Sequence, residues 1–375
     1  MTGTLRIFQT CFSRSWGGLE IQALEMSAAL VQRGHRVSLL CCPESRLSQQ
    51  ARARGLDVYE LGVTGYFHPL VLWQLSRLIE REKPQIIHCQ HSRDLATVVP
   101  AGDLSGGRAK ILLSKRVGSY LSKMDLLHRY TYSRISRVLA ISEVIRRNVL
   151  ETTPMARDRV CTLHDAIDTE LFSPPQAQRD RVRAEFRYAE EHLLVGFVGR
   201  FSPGKGHEEF LEAASLIAAQ HPEARFLVVG EASAGEGAYE REIRGRAAAL
   251  DLEALVTFAG FRTDIPDVMA ALDIFAFPSH AESFGVALIE AMAMERPVVS
   301  SNCDGVLDIV IDGESGLFVH PGNAGELARA ILRLADDPAL RERLGRAGRE
   351  RVLRLFDRRA QMEALEKIYR EALTA

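Results

Sequence analysis

Arg200, Lys205, Glu282 and Glu290 are the side chains of this 375-residue chain whose types and spacing could do chemistry together. Arg200 and Lys205 lie five apart in the loop "GRFSPGKGH", among Gly199, Gly204 and Gly206. Such a loop lets a ligand approach the backbone closely, and two cations at a helix start suit a diphosphate. Glu282 and Glu290 stand eight apart in "HAESFGVALIEAMAMERP", the second among apolar residues. Were 282–290 all helical, they would span about 12 Å at roughly 1.5 Å per residue. Carboxylates at that separation fit the hydroxyls at the two ends of a nucleotide-sugar. A helix beginning at Ser283–Gly285 would turn its amides, including those of Phe284, Gly285 and Val286, toward phosphate. The plainer alternatives are a solvated cationic loop, Glu282 as a helix cap, and Glu290 paired with a buried arginine.

Three further features could bear on a ligand. Gly17 and Gly18 sit between the first strand and its helix, where backbone amides can meet an anion or a sugar hydroxyl. Such a pair also occurs in turns that are merely tight. His88 and His91 end a strand in "PQIIHCQHSRDL": His88 belongs to the strand, and His91 falls just past it. The G-x-G-x-x-G dinucleotide fingerprint is absent after the first strand. There is no H-E-x-x-H or D-x-D, so neither a metal site nor a metal-held diphosphate is expected. Cys11, Cys41, Cys42, Cys89, Cys161 and Cys303 form no C-x-x-C, and they read as free thiols of a reducing compartment.

Positioning these residues requires strands that end where they begin. Apolar runs at 5–12, 36–42, 57–61, 85–90, 110–114, 137–142 and 159–164 read as strands in the first half. Runs at 193–200, 225–231, 254–260, 273–279, 297–301 and 316–320 read as strands in the second. Helical stretches alternate with them, such as 19–34 with Leu19, Ala23, Met26 and Leu30 on one face and Gly34 at its end. The pattern predicts α/β architecture with two Rossmann-like doubly wound domains facing across a cleft. The expected boundaries are 1–170, a linker 171–190, 191–355, and a C-terminal helix 356–375 packing back on the first domain. Ligands of parallel sheets bind beyond the carboxyl ends of the strands, where every motif above falls.

Residues 1–170 carry 23 Lys+Arg against 16 Asp+Glu, a net of +7, while the rest is net −9. The excess concentrates in 108–147, where cations interleave with Leu, Tyr and Met as in an interfacial amphipathic helix. This predicts contact with an anionic membrane surface; a solvated basic face is the alternative. A whole-chain net charge of −2 argues against nucleic acid as partner. No apolar run reaches a membrane span, and the first dozen residues do not form a leader.

Taken together, "GGLEIQALEMSAALVQRGHRV", "RVLAIS", "AIDTELFSP", "VGRFSPGKG", "FPSHAESFGVALIEAMA", "RPVVSS" and "GLFVHPGNAGELA" resemble the retaining glycosyltransferases of family 4, of GT-B fold. The resemblance implies transfer of a sugar from a nucleotide-diphosphate sugar to a glycan or lipid-linked acceptor, as in lipopolysaccharide synthesis, with no cofactor and no metal. It implies a cytoplasmic protein, or one peripheral on the cytoplasmic face of the inner membrane. Glu290 would hold the donor ribose, Glu282 would contact the transferring sugar, and Arg200 and Lys205 would neutralise the departing diphosphate. The amides of Phe284, Gly285 and Val286, with Gly17, Gly18 and His91, would complete the donor contacts. The pattern departs at Met294-Glu295, at Asp165-Ala166, and at Asp304 and Asp308 of "DGVLD". A nucleotide-sugar isomerase of 2-epimerase type, or a non-catalytic sugar-nucleotide binding subunit, is the alternative.

Overall fold

The structure, a computed structural model, describes residues 3–374 other than 64, 66, 67, 175 and 233–236. The chain divides into two units, one of Met1–Asp165 with Arg359–Ala375 and one of Ala166–Arg358.

The first unit is built on seven parallel strands: β1 (Arg6–Cys11), β2 (Arg36–Cys41), β3 (Asp57–Glu60), β4 (Ile86–Cys89), β5 (Lys110–Lys115), β6 (Ile135–Ala140) and β7 (Val160–Thr162). Their order is β3-β2-β1-β4-β5-β6-β7. The inner strands are apolar along their length because helices cover both faces of the sheet. On one face Ile7, Val37, Ile86, Leu112 and Leu139 pack with Met26 and Leu30 of the helix Gly18–Gln32. Met362, Leu365, Tyr369 and Ala372 of the last helix, Arg358–Thr374, complete that cluster. Further along the same strands, Cys11, Leu39 and Cys41 pack with Ala23 and Leu24 of the helix Gly18–Gln32 and with Leu47 and Ala51 of the helix Arg46–Ala53.

The last helix is also held by charge. Glu366, 6% exposed, accepts from Arg33 Nε at 2.5 Å and lies 3.2 Å from His35 Nε2 and 3.0 Å from Arg370 Nη2. The hydrogen bond from Arg33, with those from His35 and Arg370, lowers its carboxyl to about 2. That stabilisation is complete above the unfolded value of about 4.5 and is lost as pH falls through about 2. Glu366→Gln is expected to lower the melting temperature at pH 7 by several degrees, from about 2 kcal/mol. Calorimetry between pH 7 and pH 3 should show the difference from wild type shrinking.

Within 108–147 the two expected strands form, with Ile111–Ser114 and Val138–Ala140 buried, and the helical stretch between them is Leu126–Ser133, capped by Asp125 on the amides of Leu127 and His128. The expected linker differs from the structure. Residues 171–190 include a helix, Gln176–Glu185, that packs into the second unit. Val182 is fully buried there, and Arg183 donates to Asp273 at 2.7 Å and to the Ala271 carbonyl at 3.1 Å.

The second unit carries six parallel strands: β8 (Leu194–Val198), β9 (Arg225–Val229), β10 (Val256–Gly260), β11 (Ile274–Phe277), β12 (Val298–Ser301) and β13 (Leu317–Val319). Their order is β10-β9-β8-β11-β12-β13. Phe197, Phe226, Val228, Ile274 and Val299 form a core with Phe210 and Ile217 of the helix His207–Ala218 and Leu327 and Ile331 of the helix Ala324–Asp336. Among the described residues no helix is long and apolar enough to cross a membrane. All six cysteines are free thiols.

Candidate functional site

In the second unit the strand order reverses direction between β8 and β11. The loops leaving neighbouring strands there run opposite ways and open a crevice at the carboxyl edge of the sheet. The loop after β8 holds Arg200, which is exposed, and Lys205, which is half-buried. It closes at Gly206, whose φ is +85° and whose hypothetical Cβ would lie 2.2 Å from the Pro278 carbonyl oxygen. Only glycine lets this loop press on the segment after β11. Gly206→Ala is therefore expected to cost roughly 2–4 kcal/mol, a strain and overlap penalty combined. A melting temperature unchanged from wild type would refute that account.

The loop after β11 meets the loop after β8 at two points. His280 N donates to the Gly204 carbonyl at 2.9 Å, and Lys205 Nζ donates to Glu282 Oε2 at 2.5 Å. A third loop, after β12, joins them: Glu282 N donates to Asp304 Oδ2 at 3.3 Å, and Gly305 N to the Glu282 carbonyl at 2.9 Å. Three adjacent strands thus fix Glu282 through its backbone and leave its carboxylate on Lys205. The helix that follows begins at Val286, after Gly285 with φ +115°, later than the expected start at Ser283. Glu282 therefore lies on a loop and caps no helix, and the straight-helix distance to Glu290 does not apply. The N-cap residue Gly285 gives the helix Val286–Ala293 no side-chain acceptor, and the Leu288 amide turns back on the Gly285 carbonyl at 3.0 Å. Phe284 is buried edge-on against Phe356, which anchors the turn before that helix.

Glu290 lies on the second turn of the same helix. Loss of hydration raises its carboxyl to about 8, against a lowering influence from Arg358. At neutral pH it is largely protonated in this state, so it can donate as well as accept a hydrogen bond. The expected partner arginine exists in part, since Arg358 acts on Glu290 only by Coulomb attraction strong enough to oppose desolvation, not to overcome it.

In the first unit the strand order reverses between β1 and β4. Asp94 Oδ2 accepts from Thr10 Oγ1 at 2.8 Å and from Phe12 N at 3.4 Å, tying the loop after β4 to the end of β1. His91 stands at the start of that loop, and its Nδ1 accepts from Arg93 N at 3.1 Å. Burial, with the charges of Arg93, Lys115 and Lys123, lowers the ring to about 4. His91 is thus neutral at physiological pH with its proton on Nε2. His88 is fully buried in β4 between Tyr369 and Ser114, a satisfied core residue. Gly17 precedes the helix Gly18–Gln32 with φ −165°, and a Cβ there would come no closer than 3.7 Å to any atom outside its neighbours; at Gly18 it would meet open space. Neither glycine is required by its own turn, so the tight-turn alternative does not account for them.

The structure therefore brings Arg200, Lys205, Glu282, Gly285, Val286 and Glu290 to the loops and helix start at one edge of the second sheet. Gly17, Gly18 and His91 lie at the corresponding edge of the first. Sequence reasoning missed the anchoring of Glu282 by Asp304, for which the only signal was the departure from the pattern at Asp304 itself. Asp165, where the pattern also departs, forms a buried ion pair with Arg116 at 3.1 Å. Among the described residues no group of three or more His, Cys, Asp or Glu side chains could hold a metal ion.

Comparison with known proteins adds to this geometry. The profile of the glycosyl transferases group 1 family matches residues 178–351, and that of glycosyltransferase family 4 matches residues 16–171. A capsular polysaccharide biosynthesis glycosyltransferase of Staphylococcus aureus is 28% identical over 62% of this chain and 60% of its own length. A D-inositol 3-phosphate glycosyltransferase of Saccharomonospora viridis is 27% identical over 92% of this chain and 78% of its own. The chain spans between about half and two thirds of the length of the first curated relatives it matches. Among solved structures, Anabaena HepE in complex with UDP and glucose superposes with a TM-score of 0.86 at 21% identity, covering 97% of this chain and 98% of that one.

Proposed function

From the premise that this chain belongs to the group 1 glycosyltransferases and has their GT-B fold, we propose that it is a retaining transferase acting on a nucleotide-diphosphate sugar. The observation that carries the reading is the junction of three strand ends in the second unit. There Lys205 and Glu282 meet beside the start of the helix Val286–Ala293, whose N-cap is Gly285. In this reading the diphosphate displaces the Glu282 carboxylate from Lys205, and Arg200 and the amides of Gly285 and Val286 share the negative charge. The freed Glu282 takes sugar hydroxyls, and Glu290 takes the ribose. Gly17, Gly18 and His91 have their part in transfer from the first unit. The barrier falls because charge developing on the leaving diphosphate meets donors already fixed in place. Cationic side chains meet that charge in this account, so no metal is invoked. The UDP and UDP-glucose complexes of HepE support a nucleotide-sugar as donor.

The acceptor in this proposal is a glycan or lipid-linked sugar of lipopolysaccharide, polysaccharide or glycolipid synthesis, met at the cytoplasmic face of a membrane. Tyr120, Leu121, Leu126 and Leu127 support it: all four are exposed, Tyr120 completely, within a segment that also carries Lys123 and Arg129. Apolar side chains flanked by cations fit an anionic lipid surface. Flotation with vesicles should recover more protein with anionic than with zwitterionic lipid, and equal recovery would end that part of the reading. For the donor, a thermal-shift panel of nucleotide-sugars followed by a transfer assay is the test. Stabilisation by none of them, or conversion of one to an isomer without acceptor, would overturn the transferase reading.

A further inference from the structure

Lys115 ends β5 and is only 5% exposed. Its neighbour Arg116 is as buried, and there the fold supplies partners: Asp165 at 3.1 Å and Gln90 Oε1 at 2.5 Å. Lys115 points to the opposite side of the strand and receives no such partner. Among the described residues no carboxylate forms an ion pair with it. The charge it meets is Lys123, within hydrogen-bonding reach and also without an acid. Lys123 is held in place through its backbone, which donates to the Thr152 carbonyl at 2.7 Å. The β4–β5 register runs His88 with Leu112 and Cys89 with Leu113. β4 ends at Cys89, and His91 follows two residues later, near enough for the Lys115 charge to act on its ring.

Two ammonium groups brought together, that of Lys115 buried and that of Lys123 half-buried, repel each other and are poorly hydrated. The consequence is visible in Lys115, pushed down to about 8 by burial and by Lys123. A folded chain keeps such an arrangement when a ligand relieves it. A carboxylate would neutralise one cation; a phosphate monoester, close to a dianion at neutral pH, would neutralise both. The neutral His91 ring offers one further donor through Nε2.

We propose that Lys115 and Lys123, with His91 beside them, form a binding site for a phosphate group carried by the sugar acceptor. The assignment to the acceptor rests on the transferase reading above; the anion site itself does not.

The test is amine modification of the full chain followed by peptide mass spectrometry, at constant ionic strength, with inorganic phosphate or chloride. Phosphate at ten times its dissociation constant is expected to slow modification of Lys115 and Lys123 about tenfold relative to chloride. In Lys115→Met, phosphate should no longer protect Lys123; in Lys123→Gln it should no longer protect Lys115. Circular dichroism establishes that each variant is folded, and either variant alone suffices. Equal modification in phosphate and chloride, or protection that persists in a folded variant, would overturn the site. A further arm with phosphatidylglycerol vesicles separates the sources. Protection by vesicles without protection by inorganic phosphate would mean adsorption to a charged surface, and would also overturn it. Donor-induced thermal shift of the wild type is read separately, so failure of the transferase reading would show there while phosphate protection stood.

Discussion

Lys205→Ala is expected to lower donor turnover by about a hundred- to a thousandfold, the usual effect of removing one fixed donor from a developing oxyanion. Its stability should change little. The Lys205–Glu282 pair is 2.5 Å long, but its side chains are 28% and 17% exposed, and such pairs contribute about 1 kcal/mol or less. The same variant should bind nucleoside diphosphate more weakly, because the lost cation serves the phosphates. Glu282→Gln should do the opposite for the nucleoside diphosphate, since Lys205 is then released from competition, while transfer of the sugar falls. Calorimetric titration of both variants with the nucleoside diphosphate separates the two roles. Full turnover in Lys205→Ala would remove the phosphate assignment.

Glu290→Gln should give a protein that is more stable and less active. The raised carboxyl of Glu290 sets the sign. Protonated, the group is accommodated; ionised, it is only partly hydrated. Its contribution is intact below the unfolded value of about 4.5, declines as pH rises, and is gone above about 8. Glutamine keeps the shape and never ionises. The variant should therefore match wild type near pH 4.5 and exceed it by about 2 kcal/mol or more at pH 8.5, a gain of several degrees in melting temperature. Turnover should fall by orders of magnitude in the same variant, because two ribose hydroxyls replace the missing hydration and let Glu290 ionise in the complex, and glutamine cannot offer two acceptors to vicinal hydroxyls. Melting curves that run parallel from pH 4.5 to pH 8.5 would show that Glu290 is hydrated after all.

The strands were legible in the sequence because both sheets are parallel and covered on two faces. Ile86–Cys89 and Ile274–Phe277 are apolar throughout, and residues so patterned have no other place to go. The loop of Arg200 and Lys205 was legible for a related reason, since glycine and lysine beyond a buried strand signal a close approach. What could not be read was pairing between distant segments. Nothing near Glu282 in sequence announces Lys205 or Asp304 as its partners, 77 and 22 residues away. The helix Gln176–Glu185 was hidden behind Pro174-Pro175 and a charged composition, because its hold on the fold comes from Arg183 and Asp273 more than from an apolar stripe. In the basic segment 108–147 the apolar runs were legible as strands, while Val117, Leu121, Leu126 and Leu127 between them are exposed on the loop and short helix that join those strands.

The last helix has a consequence for how the molecule is made. Met362, Leu365 and Tyr369 fill the middle of a core whose other members leave the ribosome some two hundred residues or more earlier. Domains commonly fold in the order of their synthesis. Here the second unit can close first, while the first waits with an open apolar face until the helix Arg358–Thr374 has been synthesised. A stalled or prematurely terminated chain would expose that face, and the cell's chaperones would meet it before any sugar does.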